Sequence, residues 1–213
     1  MSEVPTVALV HGLYLPRWAM TVLSSRLRQA GFHPVLFSYP SWRQGLGANA
    51  DRLRHFLGTL SPTSLHFVAH SMGGLVVARL LHHCAVVPAG RVVALGTPFL
   101  GSHAARCLQK NAPGRLLLGR GAEALAEGFP HWSCPWRLGV IGGTRGWGLG
   151  RFVAPGLPSP HDGTVALAET RVRGGSDHVS VDASHSGLLW SSEVAAAVVA
   201  FLRTGRFVRG VSC

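Results

Sequence analysis

The stretch Leu65-His66-Phe67-Val68-Ala69-His70-Ser71-Met72-Gly73-Gly74 decides how the rest of the chain is read. A short run suited to a buried strand leads straight into a serine flanked by small residues, and a helical stretch, Leu75 to Leu81, follows. This is the G-x-S-x-G pattern at a strand-to-helix turn, with Ala69 in place of the first glycine. Side chains two positions before and after the serine would collide with neighbouring elements, so Ala69 and Gly73 need to be small. The turn lifts the Ser71 hydroxyl over the sheet, with the N-terminus of the next helix beneath it. The same letters also fit a strand, a capping serine and a glycine turn with no chemistry, because serine is a common N-cap.

Working outward, short apolar runs alternate with helical patterns. Thr6 to Val10 reads as a buried strand ending in His11-Gly12, Trp18 to Ala30 as a helix closed by Gly31, and Pro34 to Ser38 as the next strand. Leu53, Phe56, Leu57 and Leu60 recur at helical spacing. Arg91 to Leu95, Leu138 to Gly142 and His178 to Val181 complete the strands, and Ser192 to Leu202 forms a final helix with a serine placed to cap it. The alternation predicts an α/β fold: about six strands in a mainly parallel sheet, with helices on both faces. The whole chain, 1–213, is read as a single domain. Residues 99–136, with weak helical patterns at Leu116 to Leu118 and Glu123 to Glu127, read as a lid or site-lining insert, or equally as connecting loops. The glycine- and proline-rich stretch 143–162, with Trp147 and Phe152, reads the same way. Both leave the strand ends where ligands sit in such sheets.

Composition narrows the classes. Hydrophobic residues make up 47% and charged residues 14% of the chain, which excludes disorder. No apolar run approaches the ~18 residues of a membrane span. The start of the chain has no basic segment followed by an apolar one, so the reading favours the cytoplasm. The formal charge is +11, and Lys110 is the one lysine among 20 basic residues. The arginines are scattered, with a mild cluster at Arg203, Arg206 and Arg209, and no arginine-aromatic stripe or nucleic-acid motif accompanies them. The charge reads as a solubility trait, with weak attraction to anionic membrane surfaces as the functional alternative. Cys84, Cys107, Cys134 and Cys213 lack metal-type spacing and read as free thiols, a Cys107–Cys134 bridge being left open. No metal or organic cofactor is implied.

A serine hydroxyl becomes a nucleophile when a base takes its proton and a third group orients that base. In the order serine, acid, histidine, the acid is sought after the fifth strand, and nine carboxylates in all keep the search short. Asp162, in Pro160-His161-Asp162-Gly163, is the candidate, its alternative being an ordinary Asx turn. Asp177 is the runner-up but precedes the sixth strand, at the wrong end, and Asp182 is too close in sequence to the base. His185 follows the sixth strand and is the candidate base, whereas His178 begins that strand and points away. Glu169 receives no role. The N–H groups of Leu13 and Met72 are the candidate oxyanion donors. His11 reads as a brace for its loop, and His70 as structural or pocket-lining. Tyr14, Phe99, Trp132 and Trp147, with His70 and Leu13, are read as lining the mouth of the site.

Taken together, Val10-His11-Gly12, Ala69-His70-Ser71-Met72-Gly73-Gly74, Gly96-Thr97-Pro98, Asp162-Gly163 and Ser184-His185 resemble the small bacterial lipases and esterases of the α/β-hydrolase superfamily. The alanine-type elbow is similar to that of minimal, lid-poor lipases, and the Gly-Thr-Pro turn to GPI inositol-deacylase-like and lipase class 2 relatives. The resemblance runs over residues 4–205, with 99–136 longer than a lid-poor enzyme needs. It implies a triad of Ser71, Asp162 and His185, with Leu13 and Met72 as oxyanion donors. The expected activity is hydrolysis of lipophilic carboxylic esters, with an acyl ester as small-molecule partner. Acyl transfer, thioester or amide cleavage by the same residues is the enzymatic alternative, and a non-catalytic binding protein on this fold is the other.

Overall fold

The computed structural model describes residues 4–60, 62–83, 90–147 and 156–208. Six strands, β1 (Thr6–Val10), β2 (His33–Phe37), β3 (Leu65–His70), β4 (Arg91–Leu95), β5 (Arg137–Gly143) and β6 (Asp177–Val181), form one sheet in the order β2-β1-β3-β4-β5-β6. Every pairing is parallel. The continuous apolar runs of the sequence follow from this, since a parallel sheet is covered on both faces. Successive residues of β1 divide between two cores: Val7 and Leu9 pack into one, Ala8 and Val10 into the other. β2 begins one residue earlier than its apolar pattern suggests, and Pro34 is tolerated there because β2 lies at the sheet edge.

The helices cover the sheet as expected. α1 (Thr21–Gln29), preceded by a 3-10 turn over Arg17–Met20, and α7 (Ser192–Thr204) bury Leu23, Leu27, Val198 and Phe201 on one face. α2 (Leu46–Leu60) and α3 (Met72–His83) bury Leu53, Leu57, Leu75 and Val76 on the other. Ser191 caps α7, its side chain accepting from the Val194 N–H at 3.3 Å. Between β4 and β5 the chain forms three short helices, α4 (His103–Leu108), α5 (Ala112–Leu118) and α6 (Ala122–Glu127). Ser102 and Asn111 cap the first two, and Leu118 and Leu125 tie them to the core.

Cys107 and Cys134 are free, so the bridge between them is not formed, while Cys84, Cys213, Phe152 and Arg209 lie outside the described residues. Among the described residues no helix is long and apolar enough to cross a membrane. The chain order reverses between β2-β1 and β1-β3, so the loops after β1 and β3 stand side by side over the C-terminal ends of the strands, where a crevice forms.

Candidate active site

Ser71 sits at the corner between β3 and α3 with φ 54°, a left-handed backbone that a residue with a side chain adopts only under strain. Hydrogen bonds hold it there. The Ser71 N–H donates to the Leu95 carbonyl at 2.8 Å, and the Ser71 carbonyl accepts from the Gly74 N–H at 3.0 Å and the Thr97 hydroxyl at 2.9 Å. Thr97, from the Gly-Thr-Pro turn, is therefore a brace for the elbow. Its position in the motif was visible in the sequence, but its hydrogen-bond partner was not. The small residues of the elbow have a steric reason. A Cβ on Gly73 would lie 2.5 Å from the Val10 carbonyl oxygen and 2.6 Å from that of His11, so α3 abuts the end of β1.

Asp162 and His185 are joined twice. His185 Nδ1 donates to Asp162 Oδ2 at 2.6 Å, and the His185 N–H donates to the Asp162 carbonyl at 2.8 Å. The other carboxylate oxygen, Oδ1, accepts from the Thr164 N–H at 2.9 Å and the Val165 N–H at 2.7 Å. The Asx-turn geometry and the contact with histidine thus coexist in one side chain. Burial alone would raise the Asp162 carboxyl, but the facing His185 and the two backbone donors outweigh it and hold the group below the ordinary aspartate range. An ionised Asp162 keeps the ring proton on Nδ1 and leaves Nε2 as the basic nitrogen. Gly96 passes under this pair: a Cβ there would lie 3.1 Å from both Asp162 Oδ2 and His185 Nδ1.

The other acids are engaged elsewhere. Asp177 stands at the start of β6 and accepts from the Phe207 N–H at 2.8 Å. Asp182 is exposed and pairs with Arg145 at 2.6 Å. Glu169 is buried; it accepts from the His103 and Ala166 N–H groups and meets Arg106 at 3.3 Å, anchoring the start of α4. His178 Nε2 meets the Thr170 hydroxyl at 2.8 Å.

His70 and His11 brace the floor of the site. His70 is buried, and its Nε2 donates to the His185 carbonyl at 2.9 Å while the two rings lie 4.6 Å apart. This link spans 115 positions of the chain, and no local pattern announces it. His11 Nδ1 meets the Gly12 carbonyl at 2.9 Å, its ring stacks on Tyr39 at 4.4 Å, and the Tyr39 hydroxyl donates to the His11 carbonyl at 2.7 Å.

Burial, reinforced by the charge of His185, pushes the His70 imidazole down to about 3. Burial and the neighbouring Arg91 push His66 down to about 4. Both rings are neutral when folded but take up protons on unfolding below about pH 6.5. Folding stability is therefore level above neutrality and falls on acidification below that value, toward these depressed folded-state values. Denaturant unfolding at pH 7.5 and 5.5, at one ionic strength, is expected to show a loss of about 2–3 kcal/mol. Equal stabilities at the two pH values would refute neutral burial of these rings.

Ser71, His185 and His70 line one cavity of about 630 Å³. Gly12, Leu13, Tyr14 and Leu15 from the loop after β1 form one wall, and Ala105, Leu108, Leu117, Leu118 and Leu125 of α4 to α6 form another. Helices α4 to α6 of the segment 99–136 thus contribute to the wall of this cavity. Tyr14, with φ 60°, donates its hydroxyl to the Leu117 carbonyl, and Trp42 Nε1 donates to the Leu116 carbonyl at 3.0 Å, tying α5 to the opposite side. Trp147 lines the cavity and is largely exposed. Among the described residues the N–H groups of Leu13 and Met72 have no protein acceptor. Two aromatic residues correct the sequence reading. Phe99 and Trp132 are buried in the core and do not line the cavity. Trp132 spends its indole N–H on the Trp136 carbonyl at 2.7 Å.

No protein-family model matches the chain, and no curated protein matches it in sequence. Solved structures do. The mature form of the Bacillus licheniformis lipase BlEst2 is similar at TM-score 0.74 and 19% identity, covering 95% of this chain and 92% of the lipase. A metagenomic carboxyl esterase aligns at TM-score 0.68 and 17% identity, over 87% of this chain and 65% of its own. A thermophilic esterase from Thermogutta terrifontis aligns at TM-score 0.66 and 17% identity, over 93% and 89% of the two chains. With its six parallel strands and flanking helices, the chain has the α/β-hydrolase fold found in these bacterial lipases and esterases.

Proposed function

We propose that this protein is a serine hydrolase of carboxylic esters with a lipophilic acyl group. The observation that carries the reading is the convergence, on one apolar-walled cavity, of a serine held at positive φ and a histidine whose Nδ1 is bound to a buried carboxylate. Ser71 Oγ attacks the acyl carbonyl while His185 Nε2 takes its proton. Asp162 orients the ring and stabilises the imidazolium that forms. The oxygen that becomes negative is received by the N–H groups of Leu13 and Met72, each such donor being worth ~2.7–4 kcal/mol in the transition state. His185 then protonates the departing alcohol, and water, activated by the same ring, releases the acid from the acyl-enzyme. Tyr14, Trp147 and the leucines of the insert receive the acyl chain, and short or medium acyl groups suit a cavity of about 630 Å³. The lipase and esterase names of the structural neighbours agree with this reading at the level of the fold.

The test is hydrolysis of p-nitrophenyl esters from acetyl to palmitoyl by the wild type and Ser71→Ala. Wild-type turnover is expected to be greatest at short or medium chain length, and the variant to lose at least about a thousandfold in kcat. Equal rates would remove Ser71 from the mechanism. Inactivity of both proteins toward the whole series would turn attention to acyl transfer or a binding role.

A further inference from the structure

The opposite end of the sheet carries a second hollow, of about 690 Å³, that the proposed chemistry does not use. It lies under the N-terminal ends of the strands, where Pro5, Ser64 and Gly90 lead into β1, β3 and β4 and Arg137 opens β5. The last residues of α1 and α7 close its sides, through Ala30 and Gly31 and through Leu202 and Arg203.

The polar side chains around it are donors. Arg91, Arg137 and Arg203 line it together with His66 and Ser64, and among the described residues no carboxylate does. None of the three guanidiniums forms an ion pair among the described residues. Part of this arrangement is structural. Arg91 Nη1 donates to the Leu202 carbonyl at 2.6 Å and Arg203 Nη2 to the Ala30 carbonyl at 2.7 Å, so each answers the negative C-terminal end of a helix. Those bonds use one of the five N–H donors on each guanidinium. Arg137 makes no such bond among the described residues and so needs another reason to stand there. The Arg91 backbone N–H donates to His66 Nδ1 at 3.0 Å, so the neutral ring carries its proton on Nε2, as a further donor. Three positive charges with spare donors and no acceptor among their side chains complement a group that has several acceptor oxygens, more than one negative charge and no proton to give. A carboxylate would leave most of these donors unmet, whereas a phosphate dianion meets them.

We propose that this hollow binds the phosphate group of a phosphomonoester, held by Arg91, Arg137 and Arg203 at the face of the molecule remote from Ser71. The apolar part of its lining, Phe32 and Leu202, suits a small uncharged body attached to the phosphate. This inference is independent of the reaction proposed above and stands or falls without it.

The test uses the full chain in a phosphate-free buffer at pH 7.5. Inorganic phosphate is titrated calorimetrically, and vesicles of phosphatidylcholine with and without phosphatidic acid are tested by co-sedimentation. The proteins are the wild type, Arg137→Gln, which leaves both helix-end bonds in place, and Arg54→Gln as a charge control, since Arg54 sits on α2 paired with Asp51. Thermal melts confirm that each variant is folded. Saturable binding of one phosphate per chain, weakened roughly tenfold or more by Arg137→Gln and unchanged by Arg54→Gln, is expected and identifies a soluble phosphate ligand. Selective binding to phosphatidic acid vesicles without binding of inorganic phosphate, again lost in Arg137→Gln alone, supports the same site with a lipid headgroup as source. No binding to either, or binding reduced equally by both substitutions, overturns the proposal.

Discussion

Asp162→Asn is expected to lower kcat for ester hydrolysis roughly ten-thousandfold while leaving KM nearly unchanged and the fold intact. The reason is specific to this site. Asp162 Oδ1 accepts two backbone N–H groups, from Thr164 at 2.9 Å and Val165 at 2.7 Å. An asparagine must satisfy those donors with its carbonyl oxygen, so its NH₂ is turned toward His185 Nδ1, which lies 2.6 Å from the present Oδ2. A donor there compels the ring to carry its proton on Nε2, where it can no longer take one from Ser71. Asp182→Asn, which breaks only an exposed pair with Arg145, is expected to stay within about twofold of the wild type. Steady-state kinetics on the best p-nitrophenyl ester decides the matter. More than a tenth of wild-type kcat in Asp162→Asn would show that Asp162 does not set the ring's tautomer.

Gly73→Val is expected to cost at least about 3 kcal/mol of folding stability, enough to leave little soluble protein. A Cβ at this position would lie 2.5 Å from the Val10 carbonyl oxygen and 2.6 Å from that of His11. Both are backbone atoms at the end of a central strand, so no side chain can swing away to make room. Relief requires α3 to withdraw from β1, which parts the loop carrying Leu13 from the turn carrying Ser71. Gly73→Ala imposes the same first clash without the γ-methyls and should show a smaller loss of stability in denaturant unfolding. Its catalytic loss should be out of proportion to that change, because the two candidate oxyanion donors no longer converge. A Gly73→Val protein with the wild-type unfolding midpoint would mean that this helix and strand do not abut as described.

The smallness demanded around Ser71 is legible in the sequence, because a strand, a turn and a helix that follow one another without a gap have little freedom in how they meet. The same holds for the sheet. The inner strands β1, β3 and β4 are near-continuous apolar runs, a pattern that burial on both faces requires, and β3 and β4 have the bounds that their sequences predict. Asp162 and His185 follow β5 and β6 and meet beyond the C-terminal strand ends for the same topological reason. What residues meet across long separations was not legible. The His70–His185 link, the Thr97 brace on Ser71 and the anchoring of α4 by Glu169 each join segments whose distance in the chain says nothing of their distance in space.

Aromatic residues mark the boundary most plainly. Tyr14 and Trp147 line the cavity, whereas Phe99 and Trp132 are buried in the core, though all four lie in segments that leave the C-terminal end of the sheet. A hydrophobic side chain gains from leaving water in either place, so its identity does not choose between a cavity wall and a packed interior. The sequence by itself determined the strands, their parallel arrangement and the serine at the corner, because these depend on local periodicity and on chain connectivity. The tertiary structure alone decided which side chains face the cavity and which carbonyls and N–H groups hold the elbow. It also decided that three arginines from separate elements converge at the far end of the sheet. Those outcomes depend on how the packed helices close around the sheet.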